Sequence, residues 1–212
     1  MILIGMFDSP FVRRVAVSMN LLRMPFEHRN WSIGKDFDRI RQFNPLGRVP
    51  TLVLPDGNTV IESGAILDFL DERAGVDQAL LPRVGDARRE ALHIIAIAIG
   101  AAEKGVLQIY EKAFRPAAKR HDPWVERCRT QMHAALAELD RLCGLRSGKW
   151  LIGSGISQAD ITVTCAHTFL SEALNLKRQG FAYPALDEAA ARCEAMPEFR
   201  SVKAAWFAPS DP

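Results

Sequence analysis

Cysteine is absent from the first 127 residues of this 212-residue chain, and only Cys128, Cys143, Cys165 and Cys193 follow, at spacings of 15, 22 and 28. No C-x-x-C pair, zinc spacing or disulfide framework can be drawn from them. The expectation is therefore four reduced thiols in a cytoplasmic protein, with no bound metal. An excess of charge is missing too. Lysine and arginine number 27 against 25 acidic residues, a formal net charge of +2, so no concentrated basic surface exists for a polyanion, and nucleic acid is not expected as a partner. Long apolar runs are also lacking. The longest, residues 94 to 102, has nine residues, about half of the ~20 that span a bilayer, so no membrane span is expected. The opening MILIGMFDSP carries no basic segment and meets Asp8 before a leader-type core can form. Five scattered histidines, His28, His93, His121, His133 and His167, form no H-E-x-x-H, and neither G-x-G-x-x-G nor G-x-x-x-x-G-K-[ST] occurs. Metal-hydrolase, nucleotide-binding and Ser-His-Asp readings therefore find no support.

What is present is ordinary globular material, 48% apolar and 25% charged, enough for one large or two small domains. Residues 2–7 (ILIGMF) read as a strand buried on both faces. Ser9 and Pro10 stand where an N-cap and a first helical residue belong, and apolar residues at 11, 12, 15, 16, 19 and 22 form one helical stripe. Residues 26–31 predict a second strand, and Phe37, Ile40 and Phe43 a short helix. Residues 51–54 and 59–61 flank Asp56-Gly57, a hairpin signal, and a helical face begins at Ser63. The order is βαβαββα, a parallel pair followed by an antiparallel hairpin.

Beyond residue 75 the pattern changes. Gly75, Pro82 and Gly85 mark a linker over 76–86. After it no strand is expected. Helical periodicity runs at about 86–113, 123–143, 157–172, 184–194 and 197–205. The first of these is apolar enough to be central to the bundle or to sit at a subunit contact. Ser157-Gln158-Ala159-Asp160 is a capping box with aspartate at the third helical position, flanked by Ile156 and Ile161 as a hydrophobic staple. The division expected is 1–75, an α+β unit, and 87–212, an all-helical bundle.

Four stretches in this order, SPFVRRV at 9–15, NPLGRVPTLV at 44–53, IESGAILDFL at 61–70 and GSGISQADI at 153–161, resemble the cytosolic glutathione S-transferase superfamily, in its bacterial-type form with serine at the sulfur position. The resemblance spans essentially the whole chain. It implies a thioredoxin-like N-terminal domain, an all-α C-terminal domain, a homodimer, and glutathione as co-substrate with no permanently bound cofactor.

The resemblance also assigns residues, each of which has a plain structural reading beside it. Ser9 alone reads as an N-cap; the resemblance makes it the hydroxyl donor to the glutathione sulfur. A free thiol is mostly protonated at pH 7 and only the thiolate attacks. A donor beside a helix N-terminus favours the anion. Serine here, where some relatives carry cysteine, disfavours disulfide exchange. Arg13 is either a source of positive potential near the sulfur or a solvated helix residue. Val49-Pro50 is implied to be a cis bond that turns the Val49 backbone toward the cysteinyl part of glutathione, as an added strand would be met. Glu62 and Ser63 are implied to grip the γ-glutamyl end, where a helix N-terminus suits a carboxylate. Arg48 and, as a competitor, Lys35 are candidates for the glycine carboxylate. Phe11, Tyr110, Phe114 and Trp206 are candidates for the second-substrate pocket, by position alone. Asp160 is structural in either reading.

The function expected is activation of glutathione as a thiolate for attack on a small apolar electrophile, conjugation standing ahead of isomerisation, dehalogenation or peroxide reduction. The alternative is a non-catalytic glutathione-binding or protein-interaction member of the same fold. Asp8 and Met6, near the sulfur position, depart from the tyrosine or serine that several classes of the superfamily carry there.

Overall fold

The computed structural model describes residues 1–146 and 148–207. Four short strands, β1 (Ile2–Ile4), β2 (Glu27–Arg29), β3 (Thr51–Val53) and β4 (Thr59–Ile61), form one sheet in the order β2-β1-β3-β4. β1 runs parallel to β2 and antiparallel to β3, in the register Ile2 to Glu27 and Ile2 to Val53. β3 and β4 close the Asp56-Gly57 hairpin, where Asp56 accepts the Asn58 N–H at 3.0 Å. The helices of this unit are α1 (Pro10–Leu21), α2 (Phe37–Arg41) and α3 (Ser63–Ala74). A small core of Ile4, Ile40 and Val53 lies on the α2 side, and a larger one joins α1 and α3 to Leu3 and Leu52. This is the thioredoxin-like arrangement expected, with β2 and α2 shorter than their sequence patterns.

The remaining helices are α4 (Gly85–Ala113), α5 (Asp122–Gly144), α6 (Gln158–Ala173), α7 (Pro184–Glu194) and α8 (Pro197–Arg200). Turns of 3-10 helix at Ala117–Lys119 and Leu176–Gln179 had no counterpart in the periodicity. α4 is about 44 Å long. By length and composition it is apolar enough to cross a membrane, with mean hydropathy 1.5 over an 18-residue window of which 39% is buried. The nine-residue run concealed this, because the charges that bound it are few. In the fold, Ala91, Ile94, Ala98, Ala101 and Ala102 make α4 the centre of the helical core, packed on α5 and α6. At Gly105 a Cβ would stand 2.2 Å from Leu170 Cδ2, so glycine sets the closest approach of α4 and α6.

Two departures from the periodicity share one cause. The stripe on α1 predicted one buried face, yet Val12 through Met19 are all buried, Arg13, Arg14 and Ser18 included. α1 is enclosed because α3 covers one flank while α6 and α8 of the helical unit cover others. The last helix, expected to reach residue 205, ends at Arg200. Arg13 donates from Nη2 to the Phe199 carbonyl and from Nε to that of Val202, both at 3.2 Å, occupying acceptors a longer helix would use.

The start of α6 is built as its sequence prescribes. Asp160 Oδ2 accepts from the Ser157 N–H at 2.9 Å and the Ser157 hydroxyl at 2.6 Å, and Oδ1 accepts from Leu151 N–H at 2.8 Å. The segment between α3 and α4 is tied down similarly: Asp71 accepts the N–H groups of Leu80 and Leu81, and the Leu80 carbonyl accepts from Gln158 N–H.

Candidate active site

The ends of β1, β2 and β4 and the start of β3 share the side of the sheet where α1 begins, and Ser9, Lys35, Arg48, Val49, Pro50, Glu62 and Ser63 follow or precede them there. β1 is followed by Gly5, whose φ is +132° and where a Cβ would lie 2.5 Å from Val12 Cγ2 and 2.8 Å from Val49 Cβ. Only glycine lets the strand end, the helix start and Val49 converge here. The Val49–Pro50 peptide bond is cis. Asn44, just 2% exposed, sets the loop ahead of it: its amide donates to the Arg48 carbonyl at 2.8 Å and its Oδ1 accepts from Leu46 N–H. His28 Nε2 pairs with the Gly5 carbonyl at 2.7 Å, and its ring stacks on Phe7 at 3.7 Å. Neither Asn44 nor His28 was marked by sequence reasoning; the Asn-Pro step was the available signal for the first.

Ser9 caps α1, its hydroxyl oxygen facing Val12 N–H at 3.5 Å. A hydroxyl has one proton and two lone pairs, so this capping contact leaves the Ser9 proton available. Asp8 beside it is half-buried. Burial raises its pKa, opposed by the Phe207 N–H, which points at Oδ2 from 3.4 Å. Phe207 in turn lies under the Lys35 ammonium, 5.9 Å from the ring centroid. Lys35 and Arg48 are both exposed.

At β4 the chain enters α3 through Glu62, whose φ of 71° is unusual for a side-chain-bearing residue, a conformation costing on the order of 1–3 kcal/mol. The side chain of Glu62, and not Ser63, caps the helix. Glu62 Oε2 accepts Gly64 N–H at 2.8 Å, and Oε1 accepts the Ser63 hydroxyl at 3.0 Å. Ser63 is buried and is the first helical residue. Behind it stands Arg14, which donates to Ser63 Oγ at 3.0 Å and to Thr162 Oγ1 of α6 at 3.2 Å. Burial pulls the Arg14 pKa down to about 10, against the opposing charge of Glu62. It remains a cation at neutral pH. Arg14 was missed because one step past Arg13 in SPFVRRV reads as a second solvated charge.

Arg13 takes neither role foreseen for it. It forms a two-pronged pair with Glu194 of α7, at 2.6 and 2.7 Å, in addition to its two carbonyl contacts. Burial opposes the charge of Glu194, but Arg13 more than offsets it and holds the carboxyl below its usual range. The four aromatic candidates divide. Phe11 and Trp206 pack against the helical core, Trp206 edge-on to Phe169 at 5.4 Å. Tyr110 and Phe114 stack edge-to-face at 5.0 Å near the end of α4 and are partly exposed. Burial raises the Tyr110 pKa, with the Arg48 charge opposing and the Asp8 charge adding to the shift. A cavity of about 290 Å³ between α4, α5 and the turn after α6, lined by Gln108, Lys112, Met132 and Leu174 among others, holds none of the candidates. Among the described residues no group of three or more His, Cys, Asp or Glu side chains is placed to hold a metal ion.

Comparison with known proteins places this architecture. Residues 3–79 match the family model described as "Glutathione S-transferase, N-terminal domain", and residues 122–195 the one described as "Glutathione S-transferase, C-terminal domain". The chain is 31% identical over 169 residues to the uncharacterized GST-like protein YibF of Escherichia coli (strain K12), covering 80% of this chain and 81% of that protein. It is 28% identical over 155 residues to a probable maleylacetoacetate isomerase 2 of Drosophila melanogaster, covering 69% and 64%. Among solved structures, a glutathione S-transferase from Methylobacterium radiotolerans in complex with glutathione sulfonate superposes with a TM-score of 0.89 at 29% identity, over 100% of this chain and 98% of that one. One from Methylobacillus flagellatus with glutathione bound gives 0.83 at 25% identity, over 95% and 98%. Sequence, domain order and fold agree, and the chain belongs to the glutathione S-transferase family.

Proposed function

We propose that the protein binds glutathione across the α1, Val49–Pro50 and α3 loops and activates it as a thiolate, with Ser9 as the sulfur donor, for attack on a small apolar electrophile. The observation that carries this is the pair of helix starts. Ser9 opens α1, Ser63 opens α3, and Arg14 of the first helix reaches Ser63 of the second at 3.0 Å, so the central thiol and the γ-glutamyl end of one extended peptide ligand are addressed from a single scaffold. Each helix N-terminus favours an anion: the thiolate at Ser9 and the γ-glutamyl carboxylate at Ser63. Val49, seated against Gly5, offers its backbone between them, and Arg48 or Lys35 takes the glycine carboxylate at the rim. The electrophile enters beside Tyr110 and Phe114, with the chain working as a homodimer. Relatives named for transferase and isomerase reactions fit the same thiolate chemistry.

The test is calorimetry with glutathione at pH 7, together with the ultraviolet signature of bound thiolate followed against pH. Wild type binds, and thiolate forms well below the free-thiol value of ~8.5. Ser63→Ala weakens binding; Ser9→Ala retains binding but returns the thiol pKa toward the free value and depresses turnover of electrophiles. Absence of binding at millimolar glutathione rejects the reading. Binding without turnover of any electrophile favours a non-catalytic role.

A further inference from the structure

Ser9, the residue assigned to the sulfur, is preceded by a carboxylate. Asp8 is half-buried, and burial is the main influence on its charge, opposed by the N–H groups of Phe207, of Asp8 itself and of Ser9. Among the described residues no lysine, arginine or histidine forms an ion pair with it. Lys35 stands over the Phe207 ring, 5.9 Å from its centroid.

The carboxylate is also held in place. Phe207 N–H points at Oδ2 from 3.4 Å. Phe207 follows Trp206, which is edge-on to Phe169 at 5.4 Å. The same segment is moored to α1 a few residues earlier, where Arg13 Nε donates to the Val202 carbonyl at 3.2 Å and Asn20 donates to Ser201 Oγ at 3.1 Å. With the Ser9 N–H favouring its charge as well, the Asp8 carboxylate lies beside the residue that carries the sulfur donor.

A thiolate at Ser9 would therefore be the second anion at the start of α1. The helix N-terminus and the Ser9 hydroxyl favour that thiolate. A like charge close by opposes it. The outward action of the Asp8 charge is visible at Tyr110 of α4, whose pKa is raised mainly by burial, with Arg48 opposing and Asp8 adding to the shift. The chemical consequence lies in nucleophilicity. A thiolate becomes a weaker nucleophile as its pKa falls, with a Brønsted slope of about 0.4–0.5 in disulfide exchange, and attack is best when that pKa is near the ambient pH. A hydroxyl and a helix start with no opposing charge would acidify the thiol further and blunt it.

We propose that Asp8 tunes this site: its carboxylate acts on the sulfur without touching it, keeps the bound thiol less acidic than Ser9 and α1 alone would make it, and so preserves the reactivity of the thiolate. The inference rests on the glutathione reading above.

The experiment follows the ultraviolet absorbance of bound thiolate from about pH 5 to about pH 9 in wild type, Asp8→Asn and Asp8→Glu. The pH profile of turnover of an activated aryl halide at saturating glutathione is recorded alongside. Asp8→Asn keeps the shape and removes the charge; it lowers the bound-thiol pKa by about one unit and the limiting rate at high pH roughly threefold. Asp8→Glu keeps the charge and titrates closer to wild type than Asp8→Asn does. A residue that only shapes the loop would change glutathione affinity or melting temperature and leave the bound-thiol pKa in place, which overturns the proposal. A bound thiol that becomes less acidic in Asp8→Asn overturns it too, because the carboxylate would then be assisting ionisation. Should Asp8→Asn fail to fold, Asp8→Ser removes the same charge and is read in the same way. Wild type that binds no glutathione overturns the glutathione reading and this proposal with it. Wild type that binds glutathione with a thiol indifferent to the charge at position 8 overturns the role of Asp8 alone.

Discussion

Replacing Asp160 by alanine removes the carboxylate that starts α6. Three donors converge on it, Ser157 N–H, Ser157 Oγ–H and Leu151 N–H, at 2.9, 2.6 and 2.8 Å. Both donor residues are 5% exposed, so neither backbone N–H recovers its bond from water after the substitution. Two orphaned N–H groups cost about 1–3 kcal/mol each, and the Ser157 hydroxyl can turn to another acceptor, so the expected loss is about 4 kcal/mol, in the range reserved for broken buried networks. For a chain of this size about 2–4 °C accompanies each kcal/mol, which puts the fall in melting temperature at roughly 8–16 °C. Thermal melts and urea titrations of wild type, Asp160→Ala and Asp160→Asn measure it. Asparagine preserves volume but supplies a single acceptor oxygen and brings N–H donors toward N–H donors, so it should lose nearly as much as alanine. An Asp160→Asn protein within about 1 kcal/mol of wild type would show that shape rather than acceptor capacity holds this corner, and would refute the argument.

Arg13→Met leaves the half-buried Glu194 with only the more distant Lys203 ammonium, at 3.8 Å, and should cost about 3 kcal/mol, the low end for a broken buried pair; Arg13→Met combined with Glu194→Leu should recover much of that in urea titrations, and a double variant as unstable as the single would contradict it. Gly105→Ala and Gly100→Ala, both inside α4, should move the melting temperature in opposite directions. The first drives a Cβ to 2.2 Å from Leu170 Cδ2, an overpacking cost of about 1–3 kcal/mol that exceeds the gain in helix propensity. The second meets nothing within 4 Å and should gain about 0.5–1 kcal/mol. Burial holds His133 and His167 below the ordinary value of 6.5, at His167 against the opposing Asp187. The unfolded chain therefore binds more protons as pH drops below 6.5, and the stability these residues contribute, present above 6.5, is lost as pH falls through their folded values. Melting temperatures between pH 7.5 and pH 5 should decline less steeply in His133→Gln/His167→Gln than in wild type.

Features encoded by neighbouring residues were readable in the sequence. Ser9-Pro10 opens α1, Asp56-Gly57 turns the hairpin and Ser157 to Asp160 start α6, because caps and turns are satisfied within a few residues. The cis bond at Val49–Pro50 followed from the family pattern. What the sequence concealed depends on partners far along the chain. Arg14 meets Thr162 across 148 positions and Ser63 across 49, and Arg13 meets Glu194 across 181. No local rule distinguishes such arginines from solvated ones, since a helix face turns polar whether it meets water or the polar groups of another helix. The early end of α8 is the same lesson. Carbonyls that its continuation would use are taken by a guanidinium from α1, so periodicity alone overshot.

The arginine pair also shows why neighbouring substitutions on α1 should have separable effects. Successive residues on a helix diverge by about 100°, so Arg13 and Arg14 address different surroundings although they adjoin in sequence. Arg13 turns to α7 and the carbonyls after α8, where its charge is matched and its role is to fix the C-terminal segment. Arg14 turns to the start of α3, where two hydroxyl oxygens accept its bonds and the Glu62 carboxylate, bonded to Ser63, favours its charge. Loss of the first should therefore loosen the segment after α7, and loss of the second the junction of α1 with α3 and α6.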